Sequence, residues 1–360
     1  MDNKYQHFVP KFYLRNFSNN GKSIGSYVFS NHKYIADAPI RKICGRDYLY
    51  GEDLEIEKWF ANLEGIWATI IKRIINESTL SINDEEYTYL LMLIYLSEAR
   101  TGFHADTFVD FQEKQFHEYL RLYREHGRIR LSDEEINNLS VKIEKPNLTS
   151  IKAMPEIVEV MSDLVLVLLK NTTRRQLITS DCPVVKYNSL FVERHYYRSY
   201  GYGQVGAQCF FPISSSLCLA LIDAVVYDFD CDKEGVIKIN APDQIIELNK
   251  LFVKNAKQAI YFNNSERKWI IEKMVQNRKD TSKEFGNYEF GNEKTGFLLM
   301  YSAKSVFDLV KIPVFKTRDN FLKMPLPLHS AGPLRPNAEK SLPKSDVFPN
   351  RRREVFYKER

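Results

Sequence analysis

The sequence is poor in cysteine, and its cysteines form no recognisable metal or disulfide pattern. Five occur among 360 residues, and no two have the Cys-x-x-Cys spacing. The absence of this spacing argues against a zinc cluster, and the odd number of cysteines argues against a disulfide scaffold. We therefore expect five reduced, mostly buried thiols in a cytoplasmic protein. They are Cys44, Cys182, Cys209, Cys218 and Cys231.

Long apolar runs are also absent. A membrane-spanning helix needs about 18 consecutive apolar residues, and the most apolar stretches, Tyr89–Leu96 and Val158–Leu169, are shorter. The first seven residues carry no apolar run of the kind found in secretory signals. The sequence thus predicts no membrane partner and a cytoplasmic location.

The excess of positive charge is small and uneven. Of a formal net charge of +5, residues 331–360 carry +4 and residues 1–330 carry +1. A domain built for duplex DNA would be strongly basic, so that function is disfavoured. The proline-rich segment Pro313–Arg360 predicts extended chain without helix. We expect one domain over 1–330, and then a Pro-rich basic extension, 331–360, that is solvated or binds a neighbouring subunit or protein partner.

The common catalytic motifs are missing too. The chain has no P-loop, HExxH or GxSxG motif. Residues 201–206 match GxGxxG in letters only, because no predicted strand precedes them and no predicted helix follows. The cofactor stays undetermined: a divalent metal is a candidate, but no ligand cluster is recognisable.

Apolar periodicity predicts a helical block at about 53–127. Within it, Leu54–Glu77 carries an apolar stripe from Trp59 to Ile74, and Asn83 with Glu86 forms a capping box for the next helix. A further helix is predicted over Pro155–Leu169. Strands are predicted in 1–50 and 153–312, including a hairpin around Asn31-His32. The fold class we expect is α+β, with the helical block packed on a mixed or antiparallel sheet.

His7 is the first candidate catalytic residue. Pro10 can begin a helix, which places His7 just outside its N-terminus, where the helix dipole favours the neutral ring. A neutral histidine beside free backbone N–H groups can act as a general base or bind an anion. Arg15, further along that helix, would supply a cation for the substrate. The alternative is a capping histidine and a surface arginine.

Ser180 and Asp181 follow a predicted buried strand and precede Pro183, and polar residues at strand ends are common in functional sites. Asp181 can orient His7, pair with an arginine or hold a cation, and Ser180 can bind substrate. The alternative is a turn in which the carboxylate only caps local backbone N–H groups.

Glu98 and Arg100 end an apolar helix and, two positions apart, face different directions. Arg100 either complements the helix dipole at the surface, or is buried and reaches Asp181 or an anionic ligand. Glu64 interrupts the apolar stripe, and a carboxylate beside a core needs a partner, which Arg15 or Arg100 can provide. We include Glu64 among the catalytic candidates.

The segment Arg194–Gly203 combines tyrosines with cations. Aromatic rings stack on bases and arginines contact phosphates, so Arg194, Tyr197 and Arg198 are candidate substrate-binding residues in a lid over a nucleotide or single strand. A contact loop for a partner protein has the same composition.

Two motifs resemble a known family. Residues 6–17 read QHFVPKFYLRNF and residues 178–184 read ITSDCPV, and both look like signatures of an uncharacterised, mostly bacterial family, domain of unknown function 4238. Softer matches extend the resemblance over residues 5–262. The resemblance implies a common fold and places His7, Arg15, Ser180 and Asp181 in the family's pattern, but it implies no activity.

Two functions remain open at this point. In the first, a His/Arg/Asp pocket hydrolyses RNA, another phosphodiester or a nucleotide, as an RNase-like toxin or phage-defence effector would. In the second, the same groups form a binding module without turnover that recognises an anionic ligand, a nucleic acid or a protein. A purely structural role for the motifs is the third reading.

Overall fold

A computed structural model describes residues 5–50, 55–143, 146–194, 200–276, 278, 284–286, 302–304, 310, 312, 314–325 and 333–341. The described chain mixes α-helices with antiparallel and parallel strands, so the fold class is α+β. The helices are α1 (Lys11–Arg15), α2 (Glu55–Glu77), α3 (Asp84–Ala99), α4 (Gly102–Glu125), α5 (Asp133–Asn138), α6 (Pro146–Lys152), α7 (Met154–Met161), α8 (Ser189–Glu193), α9 (Pro242–Asn255), α10 (Lys268–Gln276), α11 (Asp319–Lys323) and α12 (Pro336–Ser341).

The strands are short. They are β1 (Tyr5–His7), β2 (Ser23–Val28), β3 (Lys33–Pro39), β4 (Gly45–Asp47), β5 (Val165–Asn171), β6 (Thr179–Ser180), β7 (Val185–Tyr187), β8 (Gln208–Pro212), β9 (Leu217–Ile222), β10 (Tyr227–Asp228), β11 (Val236–Ile239), β12 (Ala259–Phe262), β13 (Glu284–Gly286), β14 (Ser302–Lys304) and β15 (Lys316–Thr317).

Two larger sheets organise these strands. The first has the order β11-β5-β9-β8-β7 and is mixed, because β11 runs parallel to β5 while the other pairs are antiparallel. The second has the order β3-β2-β12-β6 and is antiparallel throughout. The remaining described pairs are β1 with β4, β10 with β15, and β13 with β14.

The five-stranded sheet is buried on both faces. In β5, Leu166 and Leu168 belong to a core shared with α2 and α3, whereas Val167 and Leu169 belong to a second core shared with α9 and α10. Successive side chains of a strand point to opposite faces. The sheet therefore separates the two cores, with the helical block on one side of it.

The two-sided burial explains why the helix predicted over Pro155–Leu169 was wrong. Helix α7 ends at Met161, and Val165–Asn171 is strand β5, although one helix was expected over Pro155–Leu169. A strand buried on both faces has a continuous apolar sequence, and periodicity alone does not distinguish it from a buried helix.

The helical block agrees with its local sequence signals. Asn83 accepts a hydrogen bond from the Glu86 backbone at 2.9 Å, and the Glu86 side chain accepts one from the Asn83 backbone at 3.2 Å, as the predicted capping box requires. The predicted stripe on α2 is narrower than expected, since Trp59 and Ile66 are each 37% exposed. Tertiary packing buries Phe60 instead of Trp59.

The C-terminal region contains helix where extended chain was expected. Helices α11 and α12 both lie within Pro313–Arg360, and α12 begins at Pro336, a position where proline's missing N–H breaks no helical hydrogen bond. Arg335 is 1% exposed and donates to the carbonyl of Val160 at 2.8 Å. Residues 333–341 therefore pack on the same chain, while 342–360 lie outside the described residues.

Candidate functional site

His7 lies at the end of β1, where the chain leaves a strand and enters a helix. It pairs with Gly45 of β4, and the next residue, Phe8, donates its backbone N–H to the carbonyl of Cys44 at 2.8 Å. Pro10 then precedes α1. This tight connection leaves the His7 side chain only 9% exposed.

Arg100 joins this connection to the helical block. It is the residue that follows α3, and its side chain is 1% exposed. Its Nε donates to the Phe8 carbonyl at 2.8 Å, and Nη2 donates to Glu64 Oε1 at 2.8 Å. The guanidinium also lies over the Phe60 ring, 4.6 Å from its centroid. The sequence left Arg15 and Arg100 open as partners of Glu64, and the structure places Arg100 there.

Electrostatics keep His7 neutral. Burial lowers the pKa of His7 to about 4, the positive charges of Lys11 and Arg100 act in the same direction, and a backbone hydrogen bond with Ile43 opposes them. Arg100 stays charged: burial disfavours its charge, but Tyr50 and Glu64 outweigh burial and raise its pKa. At neutral pH the site therefore presents an uncharged imidazole beside a guanidinium.

Two buried nitrogens in this region have no hydrogen-bond partner within the described chain: His7 Nδ1 and Arg100 Nη1. Buried polar groups are normally hydrogen-bonded, and a neutral imidazole nitrogen can accept a proton while Nη1 can only donate. We call the group formed by His7, Lys11, Glu57, Glu64 and Arg100 the His7–Arg100 cluster. The cluster combines two positive charges, two carboxyl groups and a neutral imidazole.

Glu57 adds a carboxyl group with a raised pKa to the cluster. Burial raises the pKa of Glu57, and the negative charge of Glu64 raises it further, while Arg100 and Lys11 act in the opposite direction. Glu64 is 28% exposed and is paired with Arg100. The two carboxyl groups therefore differ in role, since Glu64 binds the guanidinium, whereas the raised pKa of Glu57 favours its protonated form.

Asp181 lies apart from this arrangement. It is 4% exposed, and its two carboxylate oxygens accept the backbone N–H groups of Lys257 and Gln258 at 3.0 and 2.9 Å. Burial raises its pKa, and these hydrogen bonds oppose the rise. The carboxylate thus fixes the turn between α9 and β12 instead of orienting His7, which is closer to the capping alternative, although the capped groups are distant in sequence.

Ser180 is fully buried and forms a local turn. Its Oγ donates to the Cys182 carbonyl at 2.8 Å and accepts the Cys182 backbone N–H at 3.1 Å. These two bonds leave the hydroxyl facing its own loop before Pro183. The structure therefore gives Ser180 a conformational role in place of the predicted contact with substrate.

Among the other candidate substrate-binding residues, Arg15 and Arg194 are described, and no described contact joins either of them to His7. Arg15 is exposed at the end of α1. Arg194 donates through Nη1 to the carbonyls of Phe321 and Met324 and so anchors α11. Tyr197 and Arg198 lie outside the described residues.

The predicted aromatic loop is largely internal where it is described. Tyr200 is 9% exposed and Tyr202 is 8% exposed, so neither ring offers a free face for a base. Burial raises the pKa of Tyr202 well above its ordinary value. Sequence composition suggested a mobile surface loop, but both tyrosines fill space in the two cores.

A second polar cluster was not predicted. Glu98 is bound by Lys186 Nζ at 2.7 Å and by the Tyr202 hydroxyl at 2.7 Å, with His104 Nδ1 at 3.9 Å. Burial alone would raise the pKa of Glu98, but Lys186 and His104 lower it to about 2. The signals available in sequence were a carboxylate at the end of an apolar helix and a lysine inside a short buried strand. As predicted, Glu98 and Arg100 face different directions.

Several absences concern the described part of the chain only. Within it no group of three or more histidine, cysteine or carboxylate side chains is placed to hold a metal ion. No described helix combines the length and apolar character needed to cross a bilayer. The five cysteines are free, and four are buried, while Cys231 is exposed.

Comparison with known proteins identifies a family. A family described as "Protein of unknown function (DUF4238)" matches residues 5–266, which is most of the chain. No curated protein and no solved structure matches the chain. The matched segment contains the His7–Arg100 cluster, the Asp181 turn and both larger sheets.

Proposed function

The chain belongs to the DUF4238 family, and we propose that its His7–Arg100 cluster binds a phosphate-bearing substrate and hydrolyses a phosphodiester or nucleotide bond. The observation that carries this proposal is the presence in one cluster of two buried nitrogens, His7 Nδ1 and Arg100 Nη1, that have no hydrogen-bond partner among the described residues. A phosphate oxygen would supply the acceptor that Nη1 lacks, and Lys11 would add a second positive charge.

The proposed chemistry assigns a separate role to each group. His7, neutral at pH 7, takes a proton from an attacking water or ribose hydroxyl through Nδ1. The attacking oxygen then bonds to phosphorus, and the bond from phosphorus to the leaving oxygen breaks. Arg100 stabilises the charge that develops on the phosphate. Glu57 donates a proton to the leaving oxygen, and Glu64 positions Arg100.

Substrate binding would itself activate the base. A phosphate beside His7 replaces part of the repulsion from Lys11 and Arg100 with attraction, and a nearby negative charge raises a histidine pKa. The pKa of about 4 in the free protein would then move toward the range in which a histidine takes up a proton efficiently. We propose RNA as the first substrate to test, with a role as a toxin or phage-defence effector in the bacterial cytoplasm.

A second candidate function is a binding module without turnover. The observation that favours it is the burial of Arg100, which is 1% exposed and already binds Phe8 and Glu64 through two of its three nitrogens. A residue held in this way recognises an anion well but has little freedom to follow a reacting group. In that case His7 would select the protonation state of the ligand.

One set of incubations separates the two functions. Purified protein is incubated with RNA, single-stranded and duplex DNA, and nucleotides, with and without divalent metal, and both product formation and binding are measured. Under the hydrolase proposal, His7→Gln loses turnover but still binds, while Arg100→Gln loses both. His126→Gln and Arg130→Gln are matched controls, because both residues are exposed and lie outside the cluster.

The outcomes are distinct. Arg100-dependent binding without any product supports the binding module and overturns hydrolysis. Absence of both product and Arg100-dependent binding overturns both functions. Circular dichroism and thermal unfolding of each variant establish that a lost signal comes from the site and not from an unfolded chain.

A further inference from the structure

Helix α10 divides two concave surfaces that the His7–Arg100 cluster does not touch. A cavity of about 420 Å³ lies between α9 and α10, and a second, of about 720 Å³, lies between α10 and the β2–β3 hairpin. Trp269 and Lys273 line both. Small-molecule sites typically have volumes of about 300–1,000 Å³, so either cavity has room for a ligand of nucleotide size.

Trp269 provides an aromatic surface between the cavities. It is 54% exposed, the largest exposure of any large apolar side chain in the described chain. Its neighbour Ile270 and Val253 of α9 form part of the apolar wall beneath it. An exposed tryptophan above an apolar wall is suited to stacking on a flat aromatic ring.

Positive charge is concentrated around this ring. The first cavity is lined by five cationic residues and two carboxylates, although residues 1–330 as a whole carry only +1. Lys273 is exposed and forms no ion pair with a described residue. The cationic residues are Arg175, Lys250, Lys254, Lys273 and Arg278, and the carboxylates are Glu247 and Glu266.

An amide on the cavity wall adds a specific polar group. Gln176 donates through Nε2 to Ser265 Oγ at 3.3 Å, but its Oε1 is buried and accepts no hydrogen bond from the described residues. The exocyclic amino groups of adenine, cytosine and guanine donate hydrogen bonds, and an amide oxygen can accept them. A lipid phosphate has no such donor, so this group favours a base over an acyl chain.

We propose that the cavity between α9 and α10 binds a nucleotide, with its base stacked on Trp269 and its phosphate between Lys273 and the neighbouring cations. Gln176 contacts the edge of the base after a small side-chain shift. The ligand is either a free nucleotide or a nucleotide within a single strand that continues past Trp269 into the second cavity. This site shares no residue with the His7–Arg100 cluster, and it stands whether or not that cluster hydrolyses anything.

Binding to the full chain tests the site directly. Adenosine monophosphate is titrated by calorimetry, and a labelled single-stranded oligoadenylate is titrated by fluorescence anisotropy at low salt. Trp269→Leu keeps an apolar side chain but removes the stacking ring, so we expect affinity to fall by roughly fivefold or more. Lys273→Gln should weaken binding by about two- to fivefold, with a smaller effect at high salt.

Controls exist on the same helix and elsewhere. Lys268→Gln removes an exposed lysine of α10 that lines neither cavity, and Phe116→Leu removes an exposed ring from α4. Both should bind as the wild type does. Arg100→Gln, which removes binding at the His7–Arg100 cluster, should keep the binding that depends on Trp269, and this result separates the two sites.

Each result has a defined meaning. Monophosphate binding that Trp269→Leu weakens identifies a free-nucleotide site, and oligoadenylate binding alone, with the same dependence, identifies a single-strand site. Binding of neither probe, or binding that Trp269→Leu and Lys273→Gln leave unchanged in folded protein, overturns the proposal.

Discussion

The hydroxyl oxygens of Tyr13 and Thr179 lie 2.6 Å apart in the buried contact between α1 and β6. These residues belong to the two sequence motifs that resemble the family's signatures. One option from the sequence was a contact between the motifs through His7 and Asp181; in the structure, Tyr13 and Thr179 join them. The Tyr13 ring also stacks on Phe211, with centroids 4.9 Å apart.

Removal of the Tyr13 hydroxyl should destabilise the protein. Tyr13→Phe keeps the stacked ring but leaves Thr179 buried without its partner, and an unsatisfied buried group costs about 1–3 kcal/mol. Urea unfolding measures the loss. The double variant Tyr13→Phe, Thr179→Val removes both polar groups, so it should recover part of the loss; equal or greater destabilisation of the double variant would show that the hydroxyls do not act as a pair.

His7 should make stability depend on pH in a specific range. The unfolded chain takes up a proton on His7 as pH falls through its ordinary pKa of 6.5, whereas the folded protein resists until about pH 4. Because the folded pKa is depressed, the stability is present above pH 6.5 and is lost between pH 6.5 and 4, by about 1–3 kcal/mol. Urea unfolding across this range should show the loss in wild type and not in His7→Gln; parallel curves would contradict the buried neutral histidine.

Asp181→Asn should affect stability more than turnover. An asparagine can accept one of the two backbone N–H groups, but its NH₂ group faces the other, so we expect a loss of about 1–3 kcal/mol. Hydrolysis or binding per folded molecule should stay unchanged, because the carboxylate binds the backbone of Lys257 and Gln258 and no described contact joins it to His7. If the Asp181→Asn protein is stable but has no turnover, Asp181 takes part in catalysis and this prediction is wrong.

Lys186→Met should expose the dependence of Glu98 on its partner. The substitution preserves the length of the side chain but leaves a carboxylate with 18% exposure without its strongest neighbour, so the pKa of Glu98 should rise and stability should fall by about 1–3 kcal/mol. Thermal unfolding and carboxyl NMR titration measure the two effects. Adding Glu98→Gln should restore part of the stability, and no restoration would argue against a coupled pair.

Local sequence signals predicted much of the helical block. The Asn83 capping box and the periodicity of α2 depend on residues within one or two turns, so they are recognisable without the rest of the chain. The hairpin around Asn31-His32 is also present, with His32 in the left-handed region at φ 52°. The α+β class followed from these segments.

Contacts across long sequence separations were not predictable in the same way. The residue types of β5 fit a buried helix or a buried strand, and only the cores on both faces decided for the strand. The hydrogen-bond partners of Asp181 lie 76 and 77 positions later in the sequence. Glu98 pairs with Lys186 because the fold brings β7 close to the end of α3. The sequence shows that a carboxylate near a core needs a hydrogen-bonding or cationic partner, but it does not show which residue is that partner.

The sequence by itself therefore determined the fold class, the Asn83 start of α3 and the need for neutralising groups at Glu64, Glu98 and Asp181. The tertiary structure decided which group binds each of these carboxylates. Burial selects partners by distance and dielectric environment, and both are set by how strands and helices pack. For that reason Arg100 joined His7, while Asp181 became the anchor of a turn.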